Sequence, residues 1–337
     1  MIDIAASRTN KGLGALRVEW QELWGRDAAA TPFQSPPWQF AWWRSFGNGE
    51  PILLTARRDG GLVGLLPLYM LREGAACKLL PIGIGLSDHI DALVDPDAPE
   101  AARHLLDAAA RLPGWTEAWL PDLAREGHIA KAISDVRCTG QATVPAAKLT
   151  IIQAPAEPCP LLRLAGALAN IVPRKTLRDL RQARGRAGRE AAANIERVEG
   201  NGLEQAMDEL FRLHEQRWRE RGEAGVCADT RVQDFHRAAA AALQQAGMLR
   251  LYRLTIVGRA AAVYYGFAAK GCMYAYLSGF DPALPRLSLG AQIIGHAIEA
   301  ARAEGLDRFD FLRGAEAYKY AWGAVDQPKL SLRLTRP

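Results

Sequence analysis

Asp88 and Asp91 flank His89 in the run Ser87-Asp88-His89-Ile90-Asp91. Carboxylates three residues apart in a turn can converge, which suits removal of a proton from a bound nucleophile, with His89 as a further contact. The same residues suit a solvated turn that caps a helix. His214 and Arg217 are three apart in Leu213-His214-Glu215-Gln216-Arg217-Trp218, so they share one helical face. A histidine there is a proton carrier or a hydrogen-bonded packing residue, and Arg217 a phosphate ligand or half of a surface ion pair. Asp310 lies between Phe309 and Phe311, where an unpaired carboxylate is costly. Arg313 and Lys319 are the nearest cations, so a buried staple competes with catalysis. Arg286, Ser288, Leu289, Gly290 and Ala291 end a loop and open a helix. Glycine at such a junction lets the backbone approach an anion, which the first-turn N–H groups and helix dipole favour. A plain loop capped by Ser288 is the alternative.

These residues need elements to position them. Helical spacing of Leu13, Leu16, Trp20, Leu23 and Trp24 predicts one helix, and Trp38 to Phe46 a second. The run 51–57 and the run 61–69 are short and apolar, and Arg58-Asp59-Gly60 between them reads as a hairpin. A strand around 78–81 and a helix over 101–112 follow. Prolines 145, 155, 158 and 160 crowd the stretch 143–160, where the domain boundary is placed. Beyond it come a basic helix (174–188), a strand (194–198), helices over 202–221 and 230–245, and strands over 249–256, 260–268 and 272–280. A helix over 289–304 and a buried strand over 308–312 complete this half. The expected class is α/β with mixed sheets, in two domains, 1–150 and 151–337.

Composition fits that reading. A chain of 337 residues, 49% hydrophobic and 23% charged, is globular rather than disordered, and long enough for about two domains. No apolar run approaches the ~18 residues of a membrane span. The start, Met1-Ile2-Asp3-Ile4, lacks a secretory pattern. Five scattered cysteines without a Cys-x-x-Cys pair argue against disulfides and structural zinc, and for a reducing cytoplasm. The net charge of +5 and the 34 arginines against 8 lysines are a weak pointer to polyanions. In the helix 174–184 the arginines lack the interleaved aromatics of nucleic-acid binding, so no nucleic acid is favoured and a solvated amphipathic face is the commoner reading. The tryptophans at 20, 24, 38, 42 and 43 are assigned to core; Trp218 and Trp322, beside polar residues, are candidate walls of a sugar site.

The order of hairpin, Arg-x-Ser-x-Gly loop, helix and short strand resembles the acyl-CoA half of the GNAT acyltransferase fold. Ser278-Gly279-Phe280-Asp281-Pro282, Phe309-Asp310-Phe311-Leu312-Arg313-Gly314-Ala315-Glu316, Tyr318-Lys319-Tyr320-Ala321-Trp322-Gly323 and the His214 run make the resemblance more specific. Together with Pro32-Phe33-Gln34-Ser35-Pro36-Pro37-Trp38, the strand 63–68 and the Asp88 turn, they resemble the cellulose-biosynthesis CelD group of bacterial GNAT-like acyltransferases, related to Fem-type transferases. That resemblance implies two tandem GNAT-like units, an acceptor cleft between them, and a donor, acetyl-CoA or another acyl-CoA, bound to the second. It places Leu277 and Gly279 against pantetheine and the 286–291 loop against pyrophosphate. It makes Tyr318 a proton donor and Lys319 a phosphate or carboxylate contact, with Arg313 on the substrate side. The loop has fewer glycines than the family's Arg/Gln-x-x-Gly-x-Gly/Ala pattern.

The reaction so implied is direct acyl transfer, without metal, to an amine or hydroxyl of a sugar-type or phosphate-bearing small molecule of cell-envelope or exopolysaccharide chemistry. A Fem-type aminoacyl transferase using charged tRNA is the alternative, although no sustained heptads supply the coiled-coil arm of such proteins. A non-catalytic GNAT-like partner of polysaccharide synthesis is the third reading.

Overall fold

The computed structural model describes residues 1–139, 149–190, 192–220 and 222–336. Along the chain the strands are β1 (Asp3–Ser7), β2 (Glu50–Arg58), β3 (Gly61–Glu73), β4 (Ala76–Pro81), β5 (Leu93–Val94), β6 (Glu117–Ala124), β7 (Thr150–Arg163), β8 (Ala193–Arg197), β9 (Leu249–Ile256), β10 (Arg259–Ala269), β11 (Cys272–Phe280), β12 (Arg308–Asp310) and β13 (Val325–Thr335). The α-helices are α1 (Asn10–Ala15), α2 (Arg17–Arg26), α3 (Pro36–Phe46), α4 (Ala101–Arg111), α5 (His128–Thr139), α6 (Leu168–Ile171), α7 (Arg174–Glu190), α8 (Leu203–Arg219), α9 (Thr230–Gln245), α10 (Leu289–Ala303) and α11 (Ala317–Ala321).

Two compact units result: Met1–Glu157 with Pro328–Pro337, and Pro158–Gln327. The return of the last ten residues to unit 1 is not visible to a linear division at residue 150. It arises because β13 pairs antiparallel with β6, Leu332 opposite Leu120 and Leu334 opposite Ala118. Of the proline-rich boundary stretch, residues 143–148 lie outside the described residues, while Thr150–Arg163 form β7.

In unit 1 the strand order is β1-β2-β3-β4-β6-β13, with β5 on β3. Leu54, Leu66, Leu68, Leu79, Leu105, Leu120 and Ile129 belong to its core. In unit 2 the order is β7-β12-β11-β10-β9-β8, a mixed sheet because β11 and β12 run parallel. The hairpins at Asp59-Gly60, Val257-Gly258 and Lys270-Gly271 have both central φ angles positive (51° and 83°, 48° and 74°, 51° and 72°), the backbone that matches a two-residue connection to strand twist.

Helices cover both faces of the β10–β11 pair. α8 buries Ala206, Met207, Leu210, Phe211, Leu213 and His214 against β10 and β11. α10 buries Leu289, Ile293, Ile294, Ala297, Ile298 and Ala301 at three- and four-residue spacing. Gly279 meets α8 at Leu213, whereas its neighbour Phe280 meets α10 at Gly290, as alternating residues of a strand should. No helix among the described residues is long and apolar enough to cross a membrane.

Candidate functional site

Unit 2 opens where its sheet stops pairing. β12 is three residues long and pairs only Cys272–Tyr274 of β11, while β11 runs on to Phe280. On the other side β11 stays bonded to β10, Gly279 opposite Val263 and Leu277 opposite Tyr265. Asp281 donates its N–H to the Ala261 carbonyl at 2.8 Å. Antiparallel bonding alternates, so the backbone groups of Leu277 and Gly279 face β10, and those of Ser278 and Phe280 face the unpaired edge.

A cavity of about 670 Å³ occupies this side of unit 2. Ser278, Phe280 and the loop from Asp281 form one wall, and Ser288 to Ala291 with Ile294 of α10 a second. Lys175, Thr176, Asp179 and Leu180 of α7 form a third; Arg217, Glu220, Tyr318, Ala321 and Trp322 close it. α7 is fastened beside α10 by a two-pronged Arg184–Glu299 pair at 2.9 and 2.7 Å and by Arg186 Nε donating to the Arg286 carbonyl at 2.9 Å.

Ser288 occupies the N-cap of α10 in left-handed backbone, φ 49° and ψ 48°, and its side chain makes no capping bond. The expected serine cap is therefore absent, and the residue lines the cavity instead. Ala291 is the first amide bonded back, to the Ser288 carbonyl at 3.0 Å. The N–H groups of Leu289 and Gly290 precede it and have no intrahelical acceptor, so this end of the cavity offers amides to an anion. The lining carries two cations, Lys175 and Arg217, against three carboxylates, Asp179, Glu220 and Asp281, and Lys175 lies 3.6 Å from Asp179. The pull on an anion therefore falls to the amides and to the exposed cations of α7.

The structure brings together Arg217, Ser288, Leu289, Gly290, Ala291, Tyr318 and Trp322 around this cavity. Arg217 stacks its guanidinium 4.6 Å from the Phe280 ring centroid. Trp322 is buried core and wall at once. Tyr318 packs edge-on to Phe311; its low-dielectric surroundings and Glu316 push its phenol up to about 12. Four residues have other work. Arg286 is exposed and outside the lining, offering only its carbonyl, to Arg186. Gly279 admits α8: a Cβ would lie 2.7 Å from the His214 nitrogen. Leu277 faces β10 through its backbone. Lys319, 2% exposed, donates to the carbonyls of Leu312, Arg313 and Gly314 at 3.0, 2.7 and 3.1 Å and pairs with Glu316 at 2.9 Å. An ammonium has three donors, so none is left for phosphate. Asp310 accepts from the Leu312 N–H at 2.7 Å, and Lys319 secures the loop beyond it.

His214 is buried, and its Nε2 accepts from Trp218 Nε1 at 2.9 Å. Burial and the charge of Arg217 push its pKa down to about 4. With Trp218, Leu277, Ser278, Tyr276 and Glu316 it lines a second cavity of about 210 Å³, which shares Arg217, Ser278, Ile294 and Tyr318 with the first.

In unit 1, Asp88 is buried. Asp91 instead anchors α5, accepting from the N–H groups of Ala92, His128 and Ile129 at 2.9, 2.8 and 2.9 Å. Burial raises its pKa, against the opposing pull of His128 and the three amides. His128 also holds Asp27 at 3.1 Å. His89 receives Lys329 Nζ on Nδ1 at 2.7 Å, and its carbonyl accepts from Gln34. The helix-capping alternative for the Asp turn thus describes Asp91. Sequence reasoning missed Lys175 and Thr176, treated as part of a solvated basic helix, and Glu316; the signal was their place at the first turn of α7 and just before α11.

The family model for the acetyltransferase (GNAT) domain matches residues 174–320, which include every lining residue of the second cavity and all of the first but Ala321 and Trp322. No curated protein matches the chain. Among solved structures, FemX is similar over 97% of this chain and 96% of its own, with TM-score 0.69 and 11% identity. L-PGS from Bacillus licheniformis is similar over 98% and 92%, with TM-score 0.59 and 13% identity. A tandem GNAT protein from the clavulanic acid biosynthesis pathway is similar over 100% and 98%, with TM-score 0.50 and 14% identity. The fold is that of two GNAT-like units, the second of which contains the stretch that matches the GNAT domain model.

Proposed function

We propose that unit 2 takes an acyl group, acetyl in the simplest case, from coenzyme A and passes it to an amine or hydroxyl of a small sugar-type acceptor by direct attack. The observation that carries this reading is the 670 Å³ cavity, where an unpaired strand edge runs into amides at the start of a helix. A pyrophosphate fits the Leu289 and Gly290 amides, and a chain bearing amide groups fits the free backbone groups of Ser278 and Phe280. The Tyr318 hydroxyl, protonated up to about 12, serves as proton donor to the departing thiolate. Cys227 and Cys272 are buried with thiols pushed up by desolvation, a poor setting for a covalent nucleophile. Membership of the CelD group, and with it exopolysaccharide or cellulose precursors as acceptors, rests on the motif resemblance, and a cytoplasmic location on the five scattered cysteines.

Calorimetry with acetyl-CoA tests the donor. Binding is expected, weakened at least tenfold by Ala291→Glu, which sets a carboxylate at the amides, and by Gly290→Val, whose side chain meets Phe280. No binding at millimolar ligand, or equal binding by both variants, refutes it. A charged tRNA donor is supported by a separate observation: Arg174, Arg178, Arg181 and Arg189 are exposed along α7, whose first turns line the cavity. Tight tRNA association that weakens linearly in log salt selects that donor. Absence of turnover across amines and amino sugars with either donor leaves the non-catalytic role.

A further inference from the structure

Charge in this chain is concentrated on one helix. Of 42 basic and 37 acidic residues, α7 holds seven and two. The helix therefore carries the whole net charge of +5, and the rest of the chain is formally neutral. Two of the seven cations fasten α7 in place: Arg184 pairs with Glu299, and Arg186 donates to the Arg286 carbonyl. The other five, Arg174, Lys175, Arg178, Arg181 and Arg189, are exposed.

Their placement is costly to the helix itself. At 3.6 residues per turn, Arg174, Arg178, Arg181 and Arg189 fall within about 80° of one another, in a stripe about 22 Å long. Leu180, Ala183 and Ala187, which are buried, lie on the opposite side. Like charges three and four residues apart repel. Arg174 and Lys175 stand in the first turn, where the helix dipole disfavours cations and no acid offsets them. Asp179 lies 3.6 Å from both Lys175 and Arg178 and is shared between them. A face that serves solubility alone intersperses both signs, whereas a stripe of one sign is relieved when an anion covers it.

The chain just before the helix narrows the kind of anion. Surfaces that bind single-stranded nucleic acid supply aromatics on which bases stack, and α7 has none. Residues 164–173 hold no charge at all. Within them α6 buries no side chain; Ala165, Ala167, Ala169 and Pro173 are exposed, and Leu168 and Ile171 half-exposed. Arg302 donates to the Gly166 carbonyl at 2.6 Å, so this apolar turn has cations at both ends. Apolar side chains beside a cationic stripe match the headgroup layer of a bilayer, which offers phosphates and hydrocarbon together.

We infer that α7 and the α6 turn before it dock unit 2 onto a bilayer containing anionic lipid, with the arginine stripe against the phosphates and residues 164–171 in the headgroup layer. The contact is peripheral, because α7 keeps its own apolar face in the core. The first turns of α7 also wall the 670 Å³ cavity, through Lys175, Thr176, Asp179 and Leu180, so docking sets that cavity beside the membrane. The inference stands apart from the acyl-transfer reading and needs no donor.

Flotation of the full chain with vesicles tests it. Binding is expected to phosphatidylcholine vesicles with about 30 mol% phosphatidylglycerol and not to phosphatidylcholine alone, since each cation near an anionic surface is worth roughly fivefold in partition. Salt on the order of 1 M, where charges are screened within about 3 Å, should release the protein. Arg174→Gln, Arg178→Gln, Arg181→Gln and Arg189→Gln in one chain should weaken binding about 100-fold or more, with a urea midpoint no lower than that of wild type; lysine at the same four positions should preserve it. Ala167→Glu with Ala169→Glu, which sets carboxylates in the apolar turn, should weaken it about tenfold or more. Equal binding to neutral and anionic vesicles, binding to neither, or equal binding by the Gln or Glu variants overturns the inference. Tight binding of tRNA without binding of anionic vesicles assigns the stripe to nucleic acid and overturns it as well. Vesicles bound but acetyl-CoA not sinks the donor reading alone; acetyl-CoA bound but vesicles not sinks the docking alone.

Discussion

Gly279→Ala is a sharp probe of how β11 and α8 are assembled. The added Cβ would lie 2.7 Å from the His214 nitrogen, 2.8 Å from Leu213 Cβ and 2.9 Å from the Leu210 carbonyl oxygen. Comfortable contacts of this kind are about 3.5–4.0 Å, so α8 must withdraw by roughly 0.6–1 Å. Two of the three atoms are helix backbone, which cannot rotate aside as a side chain does. The cost is that of overpacking, about 1–3 kcal/mol. The same shift carries His214, Arg217 and Trp218 with it, and displacement on the order of 1 Å can cost about 100-fold in rate. Urea denaturation of the variant is expected to show the stability loss with unchanged slope, and thiol release from acetyl-CoA with glucosamine to fall at least tenfold. Gly188→Ala is the control: it sits within α7 with nothing within 4 Å of a new Cβ and should gain about 0.5–1 kcal/mol. Wild-type stability and turnover in Gly279→Ala would refute the close approach of α8 to β11.

Lys319→Met removes the cation that joins three loop carbonyls and Glu316; a loss of about 3 kcal/mol or more by urea denaturation is expected, and a loss below 1 kcal/mol would deny it a structural role. Acid should weaken unit 2 through His214. Its folded pKa of about 4 lies below the ordinary 6.5, so the neutral form is the folded one. The contribution is complete above pH 6.5 and lost as pH falls toward 4, about 3 kcal/mol in all. Urea midpoints at pH 7 and pH 4.5 should converge in His214→Gln relative to wild type, and an identical acid loss in both would contradict this.

Much of unit 2 is legible in the sequence because its strands are neighbours in the chain. Two-residue turns separate β9, β10 and β11, and α10 declares itself by Ile293, Ile294, Ala297 and Ile298. β7 and β13 are not legible: their partners, β12 and β6, lie more than a hundred residues away, and β7 carries prolines that read as linker. At the site, the junction of β11 with α10 was legible from a glycine and a serine at a helix start. The roles of Lys319 and Asp91 were not, because both serve backbone groups, which leave no trace in residue type. Lys319 binds carbonyls of a loop in left-handed backbone, φ 60° at Leu312 and 111° at Gly314, and Asp91 meets amides of a helix that starts 37 residues later. Glu316 escaped notice for the same reason: its position depends on a lysine whose burial only the fold reveals.

Hydrogen exchange of the full chain with and without acetyl-CoA tests the central claim, that the donor lies along the free edge of β11 and ends on the first turn of α10. Protection is expected at Ser278, Phe280, Leu289 and Gly290, with the β2–β3 hairpin of unit 1 unchanged. Slowed exchange confined to unit 1, or none at these four amides under saturating acetyl-CoA, would contradict it.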